Sequence, residues 1–231
     1  MRTTFEEQLN NLHLRFSEMG MMASEAIMKS VKAYVDHNKT LANEVISNDH
    51  FLNKREMDLE KESFEMIALQ QPVTSDLRMI VTVLKASSDL ERMGDHAASI
   101  AQETIRVKGE TRIPEIEKLI AEMGDMSTSI VEDSLEAYLK RDSKMAEEVA
   151  HHDMNIHVKS NKISELCIKA MQQDGEYVLS GSSYMLVASY LERVGDYATN
   201  ICEWVVYLNS GHVVELSGKH IADDEDENDQ N

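Results

Sequence analysis

Apolar residues recur at intervals of three and four along almost the whole chain, which is the spacing of amphipathic helices. Few turn signals interrupt this pattern, and the interruptions divide it into six long segments. We therefore predict an all-α protein of six long antiparallel helices, joined by short turns into two up-down-up bundles. The predicted helices end near Asp36, Gln71, Val107, Leu139, Gln173 and Gly211.

The ends of these segments carry residues that commonly begin or end helices. We expect Gly109 to follow the third helix and Pro114 to lie in the first turn of the fourth, so the boundary between the halves falls here. A turn that contains Gly175 and Gly181 should precede the last helix. The expected N-caps and capping boxes are Thr3 with Glu6 or Thr4 with Glu7, Asn38, Thr74 or Ser75, and Asp142.

A thirteen-residue phrase occurs twice, as SDLERMGDHAASI at 88–100 and as SYLERVGDYATNI at 189–201. Eight of the thirteen positions are identical, and each copy falls in the third predicted helix of its half. This repetition predicts two related three-helix bundles in tandem. The predicted units are residues 1–109, residues 110–212, and an acidic tail over 213–231 that we expect to be disordered.

The sequence is strongly acidic, with a formal net charge of -19. Nucleic-acid binding and attachment to anionic membranes both require clustered Lys and Arg, so we expect neither. No apolar run approaches the ~20 residues of a membrane-spanning helix, and the first residues lack an apolar signal segment, which predicts a soluble cytoplasmic protein.

Cys167 and Cys202 fall within apolar helical pattern without CxxC spacing, so we expect buried free thiols.

In the first copy of the repeat, a stripe of apolar and small residues predicts the helix face that packs into the core. It consists of Ile80, Val83, Ser87, Leu90, Gly94, Ala97 and Ala101. Glu91 and Asp95 lie four residues apart in the adjacent stripe. Like charges at this spacing cost a few tenths of a kcal/mol, and an interior glycine costs about 1 kcal/mol. A pattern that occurs twice despite this cost indicates a compensating contact, for which a cation held by carboxylate oxygens is suitable.

A metal site needs ligands from more than one helix, and the preceding helix of each half offers two residues at the same spacing of four. The candidate ligands are Asp49, Asn53, Glu91 and Asp95 in the first half, and Asp153, His157, Glu192 and Asp196 in the second. His151 and His152 add imidazoles nearby, although such a pair in a polar helix start is usually solvated.

The repeated carboxylates have three other interpretations: ion pairs with a neighbouring helix, the site of a metal-dependent enzyme, and a metal-independent helical adaptor. Glu91 and Glu192 can instead pair with Lys or Arg of a neighbouring helix, with Arg92 and Arg193 pointing outward. A metal-dependent enzyme is disfavoured, because a ferritin-like site needs two ExxH pairs and the sequence offers only Glu148 with His151. No phosphate-binding glycine loop, HExxH or GxSxG motif is present. We predict no enzyme activity, while a metal-independent helical adaptor stays open.

Three phrases together resemble the PhoU family of phosphate-uptake regulators: QQPVTSDLR at 70–78, LERMGDHAASI at 90–100 and LERVGDYATNICEW at 191–204. The resemblance covers nearly the whole chain to about Tyr207 and leaves out the acidic tail. It implies two three-helix bundles with approximate twofold symmetry and surface metal clusters formed by ExxxD-type motifs. The family's companion motif on the preceding helix is usually DxxxD, and this sequence departs from it at Asn53 and His157. Asn53 is a weaker neutral ligand, whereas His157 shifts its site toward transition metals.

The resemblance also implies a cytoplasmic accessory protein that is not an enzyme. Proteins of this kind restrain a phosphate-specific ABC transporter through its ATPase subunit and keep the phosphate-responsive sensor histidine kinase quiet when phosphate is plentiful. We therefore expect a negative regulator of phosphate uptake and of two-component signalling, with Fe, Zn, Mn or Mg in its carboxylate sites. We also expect a homodimer, for which the sequence contains no direct signal.

Overall fold

The computed structural model describes residues 2–216, with side chains from residue 5, and contains no strand within that range. The expected capping boxes at Thr3 and Thr4 depend on side chains that lie outside the described part of the chain, and so does the predicted tail from residue 217 onward. The helices are α1 (Arg2–Val35), α2 (Lys39–Gln70), α3 (Thr74–Arg106), α4 (Pro114–Lys140), α5 (Ser143–His151), α6 (Asp153–Gln173) and α7 (Val178–Ser210), with a 3₁₀ turn at Gly175–Tyr177.

The helices form two three-helix bundles in tandem, as the repeat predicted. In the first bundle α1, α2 and α3 pack on one another. In the second bundle α4 and α7 pack on each other and on the consecutive helices α5 and α6, which together take the place of one helix. The bundles meet where α3 lies against α7 and α1 against α4. Both copies of the repeated phrase therefore lie on the central pair of helices, each facing the outer helix of its own half.

Most of the predicted helix ends are confirmed. The Asn38 side chain accepts a hydrogen bond from the Leu41 amide, and Asp142 accepts from the amides of Lys144 and Met145. Pro114 begins α4, and Gly211 ends α7 with a positive φ of 79°.

Two local predictions are wrong. Neither Thr74 nor Ser75 caps α3, because Val73 occupies the N-cap position and has no side-chain acceptor, while Thr74 is already the first helical residue. Gly181 does not lie in a turn: it is buried inside α7 against Met171, where its lack of a side chain permits close packing.

The fifth predicted helix is divided in two. The His152 amide bonds to the Val149 carbonyl and the Asn155 amide bonds to the His152 carbonyl, so the backbone tightens to three-residue hydrogen bonds at this point. The apolar pattern continues through the break, which explains why the sequence predicted one helix. The consequence is that α6 begins at Asp153, whose negative charge is favourable at the amino end of a helix.

The predicted core stripe of α3 is buried along its whole length. Cys167 and Cys202 are buried free thiols, and burial raises their pKa values to about 11 and about 12. Among the residues that the structure describes, no helix combines the length and the apolar character required to cross a bilayer.

A polar network around one buried carboxylate joins the two halves beside the start of α4. Glu117, which is 5% exposed, lies at the centre of this network. Its carboxylate is 2.8 Å from His37 Nε2, accepts from the Arg112 guanidinium at 2.7 Å, and accepts from the Tyr184 hydroxyl at 3.1 Å. Because His37 belongs to the turn between α1 and α2, this carboxylate ties the first bundle to the second.

Candidate metal centre

The second half brings its four predicted ligands together between α6 and α7. His157 Nδ1 lies 2.5 Å from Glu192 Oε1, and His157 Nε2 lies 3.0 Å from Asp153 Oδ2 and 3.5 Å from Asp196 Oδ1. Within residues 5–216, Asp153, His157 and Asp196 form the one group of three or more His, Cys, Asp or Glu whose ligand atoms all lie within 4.8 Å of one another. The imidazole therefore lies at the centre of three carboxylates.

One oxygen of this cluster has no partner. Asp153 is 8% exposed, and its Oδ1 is buried without a hydrogen bond. A buried carboxylate oxygen without a donor costs free energy, and a bound cation would remove that cost. The chemistry of the set, with three carboxylates and one imidazole, fits a divalent transition metal.

Gly195 allows α7 to approach Asp153 closely. A Cβ atom at Gly195 would lie 2.2 Å from Asp153 Oδ1 and 3.1 Å from Ile156 Cδ1. Both distances are shorter than normal contacts, so a side chain at this position would displace the carboxylate. The glycine of the ERxGD phrase is thus explained by the geometry of the site.

The electrostatics of the second site show mutual dependence between acid and imidazole. Burial raises the pKa of Asp153, and His157 opposes this rise. Burial works against the charged form of His157, but Asp153 and Glu192 outweigh it, so the pKa of His157 is raised. The protonated His157 ring therefore offsets part of the negative charge that a bound metal ion would otherwise offset.

The first half also brings α2 and α3 together at its predicted ligands, in a more open arrangement. Asp49 Oδ1 and Asn53 Oδ1 are both buried without a hydrogen-bond partner. At Gly94 a Cβ atom would lie 2.6 Å from Leu52 Cδ1 and 3.5 Å from Asp49 Oδ1. Two unpartnered oxygen atoms on one helix, facing carboxylates on the next, form a set that suits an oxygen-preferring cation.

Burial, and after it repulsion between neighbouring carboxylates, raises the pKa values of two acids in the first site. Burial and the charges of Asp95, Glu56 and Asp49 raise the pKa of Glu91 to about 7. Burial and Asp95 likewise raise the pKa of Asp49. Without a cation, the folded protein therefore holds a proton here near neutral pH.

Glu91→Gln is expected to remove part of the pH dependence of stability in chelator-treated protein. Glu91 in the folded state keeps its proton up to about pH 7, whereas its ordinary pKa is 4.5. The folded state thus binds more protons between these values, and stability falls as pH rises through that window. Thermal unfolding between pH 5 and pH 8 should show that the stability of the variant falls less with rising pH than that of the wild type. The limits of this pH window hold to within about one pKa unit.

Glu147→Gln, at an exposed position on α5, is the matched control for this experiment and should keep the wild-type slope. An unchanged slope in Glu91→Gln would contradict the raised pKa.

Two further residues act on these sites and were not predicted from the sequence, one by a hydrogen bond and one by its charge. Ser160 donates a hydrogen bond to Glu192 Oε2 at 2.9 Å. Glu56 raises the pKa of Glu91 and accepts a hydrogen bond from Ser88 at 2.9 Å. Both lie seven residues after the first ligand of their helix, so a search at positions four and seven would have found them.

The ion-pair interpretation of Glu91 and Glu192 does not describe this arrangement. Over residues 5–216, neither carboxylate lies in a salt bridge with Lys or Arg, and Glu192 contacts His157 instead. Arg92 and Arg193 point outward as expected, with 56% and 62% of their side chains exposed. His151 and His152 are exposed and do not join the cluster.

Gly195→Ala is expected to destabilise the protein by about 1–3 kcal/mol, because the new methyl group overlaps Asp153 Oδ1. Gly94→Ala is the matched variant in the first half, where the nearest atom is the end of the Leu52 side chain, which can rotate. We expect a smaller loss there. Chemical denaturation of both variants measures the difference, and equal losses would show that Asp153 is free to move.

Comparison with known proteins assigns the chain to a family. The PhoU domain matches residues 16–104 and 120–205, one segment in each bundle. A Streptococcus pneumoniae protein named phosphate-specific transport system accessory protein PhoU homolog is 34% identical over 217 residues, which cover 94% of this chain and 100% of the relative. A protein of the same name from Clostridium acetobutylicum is 35% identical, over 94% of this chain and 99% of the relative.

Solved structures give the same result. The phosphate transport system regulatory protein PhoU from Streptococcus pneumoniae has a TM-score of 0.85 at 32% identity, covering 91% of this chain and 99% of that one. PhoU from Pseudomonas aeruginosa also has a TM-score of 0.85, at 28% identity, covering 90% of this chain and 100% of that one. With both bundles matched and relatives above 30% identity along nearly their whole length, the chain belongs to the PhoU family.

Proposed function

We propose that this protein is a cytoplasmic negative regulator of phosphate uptake and of phosphate-responsive two-component signalling. The observation that carries this proposal is the match to phosphate transport accessory and regulatory proteins over nearly the whole chain. Its proposed partners are the ATPase subunit of a phosphate ABC transporter and a sensor histidine kinase. It acts on them by binding and not by catalysis, and the expected homodimer stays a prediction.

We further propose that both halves bind metal ions. The support is the pair of carboxylate sets with buried, unpartnered oxygen atoms at Asp49, Asn53 and Asp153. The oxygen-only set of the first half suits Mg or Mn, and the second set, with His157, suits Fe, Zn or Mn. Bound metal would neutralise the carboxylates on the outer faces of the central helices, which gives the surface two charge states.

Deletion of the gene in its own host tests the regulatory proposal. We expect phosphate uptake and the expression of phosphate-regulated genes to rise under phosphate-rich conditions, and a plasmid copy to restore repression. Radiolabelled phosphate uptake and a reporter promoter measure the two outputs separately. Unchanged values of both would overturn the proposal, while a change in uptake alone would limit it to the transporter.

A further inference from the structure

A cleft of about 580 Å³ lies between α2 and the seam where α3 meets α7. Phe64, which is 53% exposed, and the half-buried Trp204 provide apolar walls. Asp89 lines the same cleft and is 6% exposed. The cleft therefore combines aromatic surface with a nearly buried carboxylate.

The charge of this cleft is negative. Four carboxylates line it, against two cationic side chains, Lys85 and Arg92. The acids are Glu56, Glu60, Asp89 and Glu203. The net charge of -19 for the whole chain adds a long-range attraction for cationic partners.

Asp89 has weak partners for so buried a carboxylate. Asn200 Nδ2 donates to its Oδ1 at 3.2 Å, and Arg92 Nη1 lies 3.9 Å from the same oxygen. An added cation would stabilise the carboxylate, because a buried charge is costly unless it is well paired.

We propose that this cleft binds a short segment of a partner protein that presents an Arg or Lys side chain beside an apolar side chain. The cation lies against Asp89 and Glu60, and the apolar neighbour packs on Phe64 and Trp204. Trp204 can also receive the cation on its ring face. This inference concerns a protein-binding surface and does not depend on metal binding or on the phosphate-regulatory role.

Trp204 provides a direct measurement, because it is the only tryptophan in the sequence. The full-length protein is titrated with the peptide acetyl-Arg-Leu-Arg-amide at physiological ionic strength, and tryptophan emission is recorded. We expect a saturable change in emission. Acetyl-Glu-Leu-Glu-amide is the control peptide and should leave the emission unchanged.

Three variants separate cleft binding from general attraction to an acidic protein. Glu60→Lys and Asp89→Asn should each weaken peptide binding by about tenfold. Asp125→Lys makes the same charge change as Glu60→Lys at an exposed position on α4 outside the cleft, and should retain wild-type affinity. Because Glu60 is exposed, its replacement leaves folding intact. The absence of saturable binding, or an equal loss in Asp125→Lys, would overturn the proposal.

Discussion

Replacing both Glu192 and Asp196 with alanine is expected to abolish the metal binding that we propose for the second half, measured on protein purified without chelators. Loss of a single outer-shell partner commonly costs 10–100-fold in metal affinity, so removal of two ligands should cost more than about 100-fold. The variant retains His157 and Asp153, which then lack the two carboxylates of α7. Elemental analysis of the purified protein measures the loss directly.

The corresponding variant of the first half, Glu91→Ala with Asp95→Ala, should retain the metal of the second site and lose that of the first. We expect the first site to release its metal more readily on dialysis, because Asn53 is neutral and the set is less compact. Asp125→Ala with Glu147→Ala removes two exposed carboxylates elsewhere and is the control. Equal metal content in all four proteins would contradict the metal proposal.

Replacing Glu117 with alanine is expected to lower the free energy of unfolding by about 1–3 kcal/mol, because it leaves the buried Tyr184 hydroxyl without its acceptor. His37 Nε2 and the Tyr184 hydroxyl would both lose an acceptor within 3.1 Å, and Arg112 would lose a bidentate contact. Urea denaturation, followed by far-ultraviolet circular dichroism, measures the loss.

Glu115→Ala is the control for this prediction, because Glu115 lies in the same first turn of α4 and is exposed. It should change the stability by less than about 0.5 kcal/mol. A loss of similar size in both variants would assign the effect to the charge at the helix start and not to the junction. Since His37 belongs to the first bundle, the Glu117 variant should also weaken the association of the two halves.

Much of the fold could be predicted because its signals are local. Asn38 and Asp142 cap their helices through bonds to amides two or three residues away, so the cap is encoded within a single turn. The apolar stripe of α3 is buried as its spacing predicted. The division at His152 was missed because no proline or glycine marks it.

The two candidate ligand sets were inferred from the repeat, and the structure places each ERxGD phrase opposite its companion pair, but their binding of metal stays a prediction. The contributions of Glu56 and Ser160 were not predicted, because glutamate and serine are common on solvated helix faces and do not by themselves indicate a site. Their role depends on a neighbouring helix whose position is set by core packing and not by nearby residues.

The sequence by itself determined the all-α class, the two tandem halves and the helix faces that carry the carboxylates, because helical periodicity and repetition are properties of the chain alone. Only the tertiary structure decided that Asp153 Oδ1 is buried without a partner, that His157 lies among three carboxylates, and that Glu117 joins the halves. Burial and distance between helices depend on packing between segments remote in sequence. Burial and the distance between helices also set the protonation of the carboxylates, and therefore the charge of each site.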